Sequence, residues 1–301
     1  PSGGTQIEYP SKKSCSGPSD EKCARCYIEW KPQITRFGQR LVEISEFLHP
    51  FLSTQQLHRM WKFVPPKIRR KIAREGHKKR PSKEIRLTTA TRKKHMTEFA
   101  QSLNVLISPS EYLAEQAVQN KLPKPRVIRH GFSQQNTNHK GGFGFVFLGG
   151  TQWHKGIDIL CEAYQRAKSS NKNFPKIRIY GDDSGSLPNS FHTLGRLPHD
   201  KILEILQKAD ALVMASRWPE NAPMVIGEAR SVGCPIIAPK IGGIPEIVKD
   251  GRDGILYTPS DIDELSNALL RIYKGERFSV SPPPIRETQY EKIEKIYEEL
   301  C

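Results

Sequence analysis

The second half of this chain alternates short, continuously apolar runs with segments whose apolar residues recur at helical spacing. That alternation constrains the fold more than any other feature. Phe143–Leu148 is apolar and runs into Gly149-Gly150, as a strand runs into a turn. Ile157–Lys168 then carries Ile157, Leu160, Cys161, Tyr164 and Ala167 on one helical stripe. Lys176–Tyr180 predicts a strand, His199–Ala209 a helix, Asp210–Ala215 a strand and Pro223–Val232 a helix. Cys234–Ala238 predicts a further strand, and Asp261–Tyr273 an amphipathic helix with Ser260 or Asp261 as its N-cap. Strands that read as unbroken apolar runs are buried on both faces. Alternation with helices then implies α/β class, a parallel sheet covered on both sides. This is a doubly wound, Rossmann-like C-terminal domain, whose ligands bind at the carboxyl ends of the strands.

The first half is less regular. Arg36–Phe51 and Gln55–Trp61 have helical patterns, and Lys67–Arg74 fits a basic helix. Asn104–Ile107 predicts a strand, Glu111–Gln119 a helix and Val127-Ile128 a short strand. Gln134–Gly142 is a polar linker. These features predict a partial α/β domain over 1–132, a ligand-binding domain over 133–280 and a C-terminal helical segment over 281–301 that packs back on the N-terminal part. One strand–helix–strand piece is too little for a complete Rossmann domain.

Charge divides the chain the same way. The whole carries +15, and Lys62–Lys94 alone holds 14 basic and 2 acidic residues. Halves so different in charge have different jobs. Nucleic-acid binding is disfavoured because few aromatics interleave with the cations. An anionic membrane surface fits better, since clustered Lys and Arg gain about 1 kcal/mol each near anionic lipid. The residues expected to face it are Trp61, Lys67, Arg69, Arg70, Lys71, Lys78, Lys79 and Arg80. A solvated basic face would have the same composition. No apolar run reaches the roughly 18 residues of a membrane span, and the opening segment, 1–10, is polar, so neither a span nor a leader is predicted. Six irregularly spaced cysteines do not make a disulfide scaffold. A reducing, cytoplasmic setting follows, with the membrane contact peripheral. Cys15, Cys23 and Cys26 could offer three thiolates to zinc but have no second CxxC pair, and free thiols are the simpler reading; no metal is expected.

Glu220 and Glu228 bracket the segment Asn221-Ala-Pro-Met-Val-Ile-Gly227. Pro223 suits a first helical turn, where its missing N–H costs nothing. The amides of Met224 and Val225 would point out of the helix tip, which with the macrodipole suits a phosphate. Glu228 lies four residues beyond Met224, about 6 Å along the axis, roughly the step from a diphosphate to a ribose diol. Glu220, ahead of the helix, would face the other end of such a ligand. Gly227 would let the ligand lie close. Two solvated carboxylates beside an ordinary helix would have the same spacing.

The surrounding motifs narrow this. Residues 144–273 resemble the donor-binding domain of glycosyltransferase family 4 (glycosyl transferases group 1), whose members have the two-domain GT-B fold. The resemblance rests on Phe147-Leu-Gly-Gly-Thr-Gln-Trp-His-Lys-Gly156, on Ala215-Ser216…Pro219-Glu220-Asn221…Glu228-Ala229, on Gly233–Ala238 followed by Gly242-Gly243-Ile244-Pro245-Glu246, and on Asp250-Gly251…Gly254–Tyr257. Val105–Leu113 resembles the last strand and helix of the family's acceptor domain. The resemblance implies a retaining transferase, of hexosyltransferase type, that moves a sugar from a nucleotide-sugar to a hydroxyl acceptor, lipid-linked or polysaccharide, with no cofactor beyond the donor. It implies that Lys155 contacts the diphosphate, Glu228 the ribose hydroxyls and Glu220 the transferred sugar. Backbone amides around the segment Asn221, Ala222, Pro223, Met224 and Val225, the proline itself having none to give, would hold phosphates, Gly195, Arg196 and Leu197 would line the base pocket, and Gly149 and Gly150 would form the first loop.

Two departures matter. Many members have Gly-Arg where this chain has Gly149-Gly150, so one phosphate cation is missing from that position. The Gly-rich acceptor-domain loop has no counterpart either, and Pro1–Gly4 with Cys15, Cys23 and Cys26 resembles a segment midway through that domain. The first ~100 residues of a ~150-residue domain are therefore expected to be missing. The alternative to a complete enzyme is a non-catalytic donor-binding subunit whose missing half comes from a second chain. His130 stands where the family has Asn before Gly131, and is expected to shape a turn rather than do chemistry.

Overall fold

Segments that are apolar on both faces supply the strands of the larger sheet. The computed structural model describes residues 83–133, 135, 139–182, 187–188 and 191–301. The predicted helices at 36–51, 55–61 and 67–74, the three N-terminal cysteines and the eight expected membrane residues lie outside them. The chain divides into two units, Pro1–Phe99 and Ala100–Cys301. Helix α1, Lys83–Gln101, crosses that division. It has no apolar stripe in its sequence, KEIRLTTATRKKHMTEFAQ, and the charge-dense pattern gave no expectation of a helix here.

In the second unit, β1 (Ile107–Ser108) and β2 (Arg126–Val127) pair in parallel around α2 (Glu111–Gln119). Ser110 caps α2 by accepting from the Leu113 N–H at 3.2 Å. The larger sheet contains β3 (Phe145–Leu148), β4 (Ile177–Tyr180), β5 (Ala211–Val213), β6 (Ile236–Pro239) and β7 (Gly254–Tyr257), all parallel, in the order β4-β3-β5-β6-β7. The sheet is doubly wound, as the sequence predicts. Phe145 and Phe147 face a layer formed by α3 (Ile157–Ser169) and a later helix, Ile262–Tyr273, with Leu160, Tyr164, Leu265 and Leu269 buried between. Val146 faces the opposite layer, formed by α4 (His199–Lys208) and α5 (Met224–Ser231), with Leu206, Ile226 and Ile236 buried there. Asp261 caps Ile262–Tyr273 through the Glu264 N–H at 2.9 Å, so of the two expected caps the aspartate serves.

A short helix, α6 (Ile244–Ile247), follows β6, and Ile262–Tyr273 is α7. The last helix, α8 (Arg286–Leu300), is reached through a proline-rich strap. Asp253, fully buried, accepts from the Ser281 N–H at 2.8 Å and its Oγ at 2.7 Å, and Arg230 holds the Ser281 and Pro282 carbonyls. The strap then meets the chain at Phe132: Phe132 N–H donates to Pro284 O at 2.9 Å, and Arg286 N–H to Phe132 O at 3.1 Å. Gln289 on α8 accepts from the Gly131 N–H at 2.8 Å, and Glu299 pairs with Arg126.

Candidate functional site

In a sheet of this order the direction of winding reverses between β3 and β5. The loops leaving their carboxyl ends diverge there and open a crevice. The loop after β3 ends in a single 3₁₀ turn, Trp153–Lys155, and in Gly156 at φ 68°. A Cβ on Gly156 would stand 1.8 Å from the Ala215 carbonyl oxygen, so only glycine lets this turn lie against the end of β5. Arg217 fastens the two loops. Its backbone N–H donates to His154 O at 2.9 Å, its Nη1 to Trp153 O at 2.9 Å, and its fork grips Asp158 on α3 at 2.6 and 2.8 Å. Burial raises the Asp158 carboxyl, but the Arg217 guanidinium outweighs it and holds the group below the ordinary carboxylate range.

The fastening brings Lys155 Nζ to 2.7 Å from Glu220 Oε1. The same oxygen accepts from Ser216 Oγ at 2.8 Å. The Glu220 backbone carbonyl accepts from Gly243 N–H at 2.7 Å, which ties this loop to the one after β6. Lys155 also lies 5.3 Å above the Trp218 ring, and Trp218 stacks on His154 with centroids 4.3 Å apart. Burial lowers the His154 pKa and the neighbouring Lys155 charge lowers it further, with Glu220 opposing. Both effects favour the neutral imidazole.

Pro223 occupies the N-cap of α5 rather than its first turn. Ile226 N–H donates to Pro223 O at 3.1 Å, which leaves the Met224 and Val225 amides at the helix tip. Glu228, one turn further on, is 8% exposed and faces His199 Nδ1 at 3.4 Å. Burial pushes its carboxyl upward, partly offset by His199. Gly227 does not receive a ligand along the helix as expected: a Cβ there would stand 1.9 Å from the Phe132 ring, which fills that space.

The remaining expected residues spread around this centre. Gly149 N–H donates to Tyr180 O at 2.9 Å, and Gly150 follows it at the mouth of the crevice. Gly195 bridges to Gly181, Arg196 pairs with Asp182 through Nε at 2.7 Å, and Leu197 packs on the α4–α5 layer. Their loop leads into His199, and so to Glu228. Ala222 and Pro223 line a small cleft with Pro109, Arg129, His130 and Phe132. Asn221 stands between Glu220 and that cleft, and its carbonyl lies against Gly243. Lys155 and Glu220 are thus brought together, while Glu228 has a separate partner. Arg217, Asp158 and His199 carry no expectation from sequence, because each acts across a gap in the chain that no local motif spans. Ser216 and His154 lie inside the quoted motifs without a role attached. Glu246, on the short helix α6, accepts from the Glu111 and Tyr112 amides at 2.9 and 2.7 Å and meets Arg129 at 3.0 Å, joining α2 to this face.

Chemically, the crevice offers an ammonium and a helix tip to an anion, one carboxylate beside them and a second, buried, one turn away. Among the described residues no cluster of three or more metal-ligating side chains is present, and no helix is long and apolar enough to cross a membrane.

A family model described as "Glycosyl transferases group 1" matches residues 131–292. The chain belongs to this family. An uncharacterized glycosyltransferase of Methanocaldococcus jannaschii is 26% identical over 209 residues, covering 65% of this chain and 59% of that protein. A D-inositol 3-phosphate glycosyltransferase of Corynebacterium aurimucosum is 29% identical over 152 residues, covering 45% and 36%. The chain thus spans little more than half, or less, of these relatives. Among solved structures, Anabaena HepE in complex with UDP superposes with a TM-score of 0.58 at 21% identity, covering 69% of this chain and 68% of that one. The pneumococcal O-GlcNAc transferase GtfA, in complex with UDP and GlcNAc, gives 0.55 at 18%, covering 68% and 47%. At these identities the likeness is one of fold, and the fold of this glycosyltransferase-family chain is GT-B-like.

Proposed function

We propose that this chain moves a sugar from a nucleoside-diphosphate sugar to a hydroxyl acceptor, with retention at the anomeric carbon. The observation that carries the reading is the meeting of Lys155 and Glu220 at the winding reversal, beside the N-terminus of α5. Lys155 and the Met224 and Val225 amides hold the diphosphate and stabilise its charge as it leaves, an electrostatic contribution made before the reaction begins. Glu228 accepts from the ribose hydroxyls and Glu220 from those of the transferred sugar. Gly195–Leu197 lines the base. The UDP bound in the HepE and GtfA complexes supports uridine as the first base to try. Residues 133–280 act as the donor domain, 1–132 as the acceptor side, and 281–301 joins them; the strap contacts at Phe132 and Gly131 support that last role. The nucleotide-sugar is the only small molecule the reaction calls for besides its acceptor.

The test measures donor affinity and sugar transfer on one preparation, with a panel of nucleotide-sugars, simple glycosides and lipid-linked acceptors. Saturable binding of one nucleotide-sugar with release of its nucleoside diphosphate is expected; no binding across the panel overturns the reading. The acceptor is lipid-linked or a growing polysaccharide, and the 14 cations of Lys62–Lys94 favour work at an anionic surface. Replacing Arg69, Arg70, Lys71, Lys78, Lys79 and Arg80 by Gln should abolish low-salt binding to phosphatidylglycerol vesicles and leave donor affinity intact. A wild-type chain indifferent to such vesicles removes the membrane from the reading.

A further inference from the structure

Lys155 is not free to meet a phosphate. Its ammonium is 2.7 Å from Glu220 Oε1, and the side chains are only 28% and 12% exposed. Ser216 Oγ anchors the same oxygen at 2.8 Å. The cation that would hold the diphosphate and the carboxylate that would hold the sugar therefore neutralise each other. We propose, resting on the donor reading above, that Glu220 makes the site discriminate between the sugar-bearing nucleotide and the spent nucleoside diphosphate by competing with the diphosphate for Lys155.

The physical reason is an asymmetry in what each ligand returns to Glu220. A diphosphate drawn to Lys155 takes its charge from a carboxylate that is mostly buried. Separating a buried charge from its cation is costly, because water does not replace the lost partner. A bare nucleoside diphosphate offers the carboxylate nothing in exchange. A nucleotide-sugar offers hydroxyl donors at the same place, and charge-assisted bonds from hydroxyl to carboxylate are among the stronger ones. The penalty thus falls on the product and is lifted for the donor. After transfer the sugar is gone, Glu220 recovers Lys155, and the diphosphate is displaced. Arg217 and Asp158 keep the exchange local, since they hold both loops in place whichever partner Lys155 takes.

The test is calorimetry of the full chain with UDP and with the best-bound UDP-sugar, on wild type, Glu220→Gln, Lys155→Gln and the double variant. Glu220→Gln should bind UDP about fivefold more tightly and the UDP-sugar more weakly, the factor expected of one partly exposed ion pair. In the Lys155→Gln background the same Glu220 substitution should leave UDP affinity unchanged. Glu220→Asp, which keeps the charge but shortens its reach, should also tighten UDP and covers the case that Gln disturbs folding. UDP binding that is unchanged or weakened in both Glu220 variants overturns the inference while leaving the donor reading in place. Tightening that persists without Lys155 also overturns it, since general repulsion would then explain the effect. Failure of wild type and variants alike to bind any nucleoside diphosphate removes the donor reading, and this inference with it.

Discussion

Glu220 and Glu228 are nearly equally buried, with side chains 12% and 10% exposed, yet their surroundings differ. Glu220 is met by an ammonium and a hydroxyl on one oxygen. Glu228 is met by one imidazole at 3.4 Å, and burial lifts its carboxyl above the ordinary range. Burial alone therefore does not tell what a carboxylate costs; its partners do. One glutamate is integrated into the protein's own electrostatics. The other is held at some expense, as expected of a group that awaits hydroxyl donors from a ligand.

Four experiments press on this difference. Lys155→Ala should cause the largest change, a loss of about 10–100-fold in UDP affinity by calorimetry, the range for hydrogen bonds to a charged group. A loss below twofold would make Lys155 a structural partner of Glu220 alone. Glu228→Ala should weaken UDP about tenfold and have no effect on 2′,3′-dideoxy-UDP; an equal loss with both ligands breaks the ribose assignment. Arg217→Lys keeps the charge but not the two-pronged grip on Asp158, and should weaken UDP and UDP-sugar by a common factor of about three. Unequal losses would place Arg217 on one side of the ligand rather than behind both loops.

The smallest effect concerns stability. Because the Glu228 carboxyl is raised in the folded protein, its stabilising contribution is fully present below the ordinary carboxylate range and is lost as pH rises through the raised value. Glu228→Gln should therefore melt about 1–2 °C higher than wild type at pH 7, with the gap closing toward pH 4. A gap of opposite sign at pH 7 would mean that His199 compensates the carboxylate after all.

Much of the second half was legible because its strands are buried on both faces, which leaves unbroken runs such as Phe145–Leu148 in the sequence. Helix α7 was legible from its aspartate cap and α5 from Pro223, although the proline is the cap rather than part of the first turn. Strand β7 was not read as a strand, since it opens on Gly254 and is only four residues long. Helix α1 was invisible to periodicity because charged and polar residues dominate its sequence, with no apolar residue between Ala90 and Met96. Of the site, Lys155, Glu220 and Glu228 lie in local motifs, and what remained hidden was their pairing. Arg217 meets Asp158 across 59 residues, and His199, at the start of α4, meets Glu228 on α5. Such contacts are set by strand order, and strand order is not a local property of the chain. Gly227 shows the converse error: a small residue read as room for a ligand is room for Phe132.

The chain leaves toward the larger sheet at Phe132 and returns beside it at Ile285, where the two segments bridge in parallel. Everything between is a single closed loop with a narrow neck. Closing a loop costs entropy that grows with its length, and the neck's few hydrogen bonds cannot meet that cost while the loop is unfolded. The neck does not hold the loop alone: from inside it, Glu246 takes the Glu111 and Tyr112 amides and pairs with Arg129, so parting the loop from the preceding segment means breaking both ties.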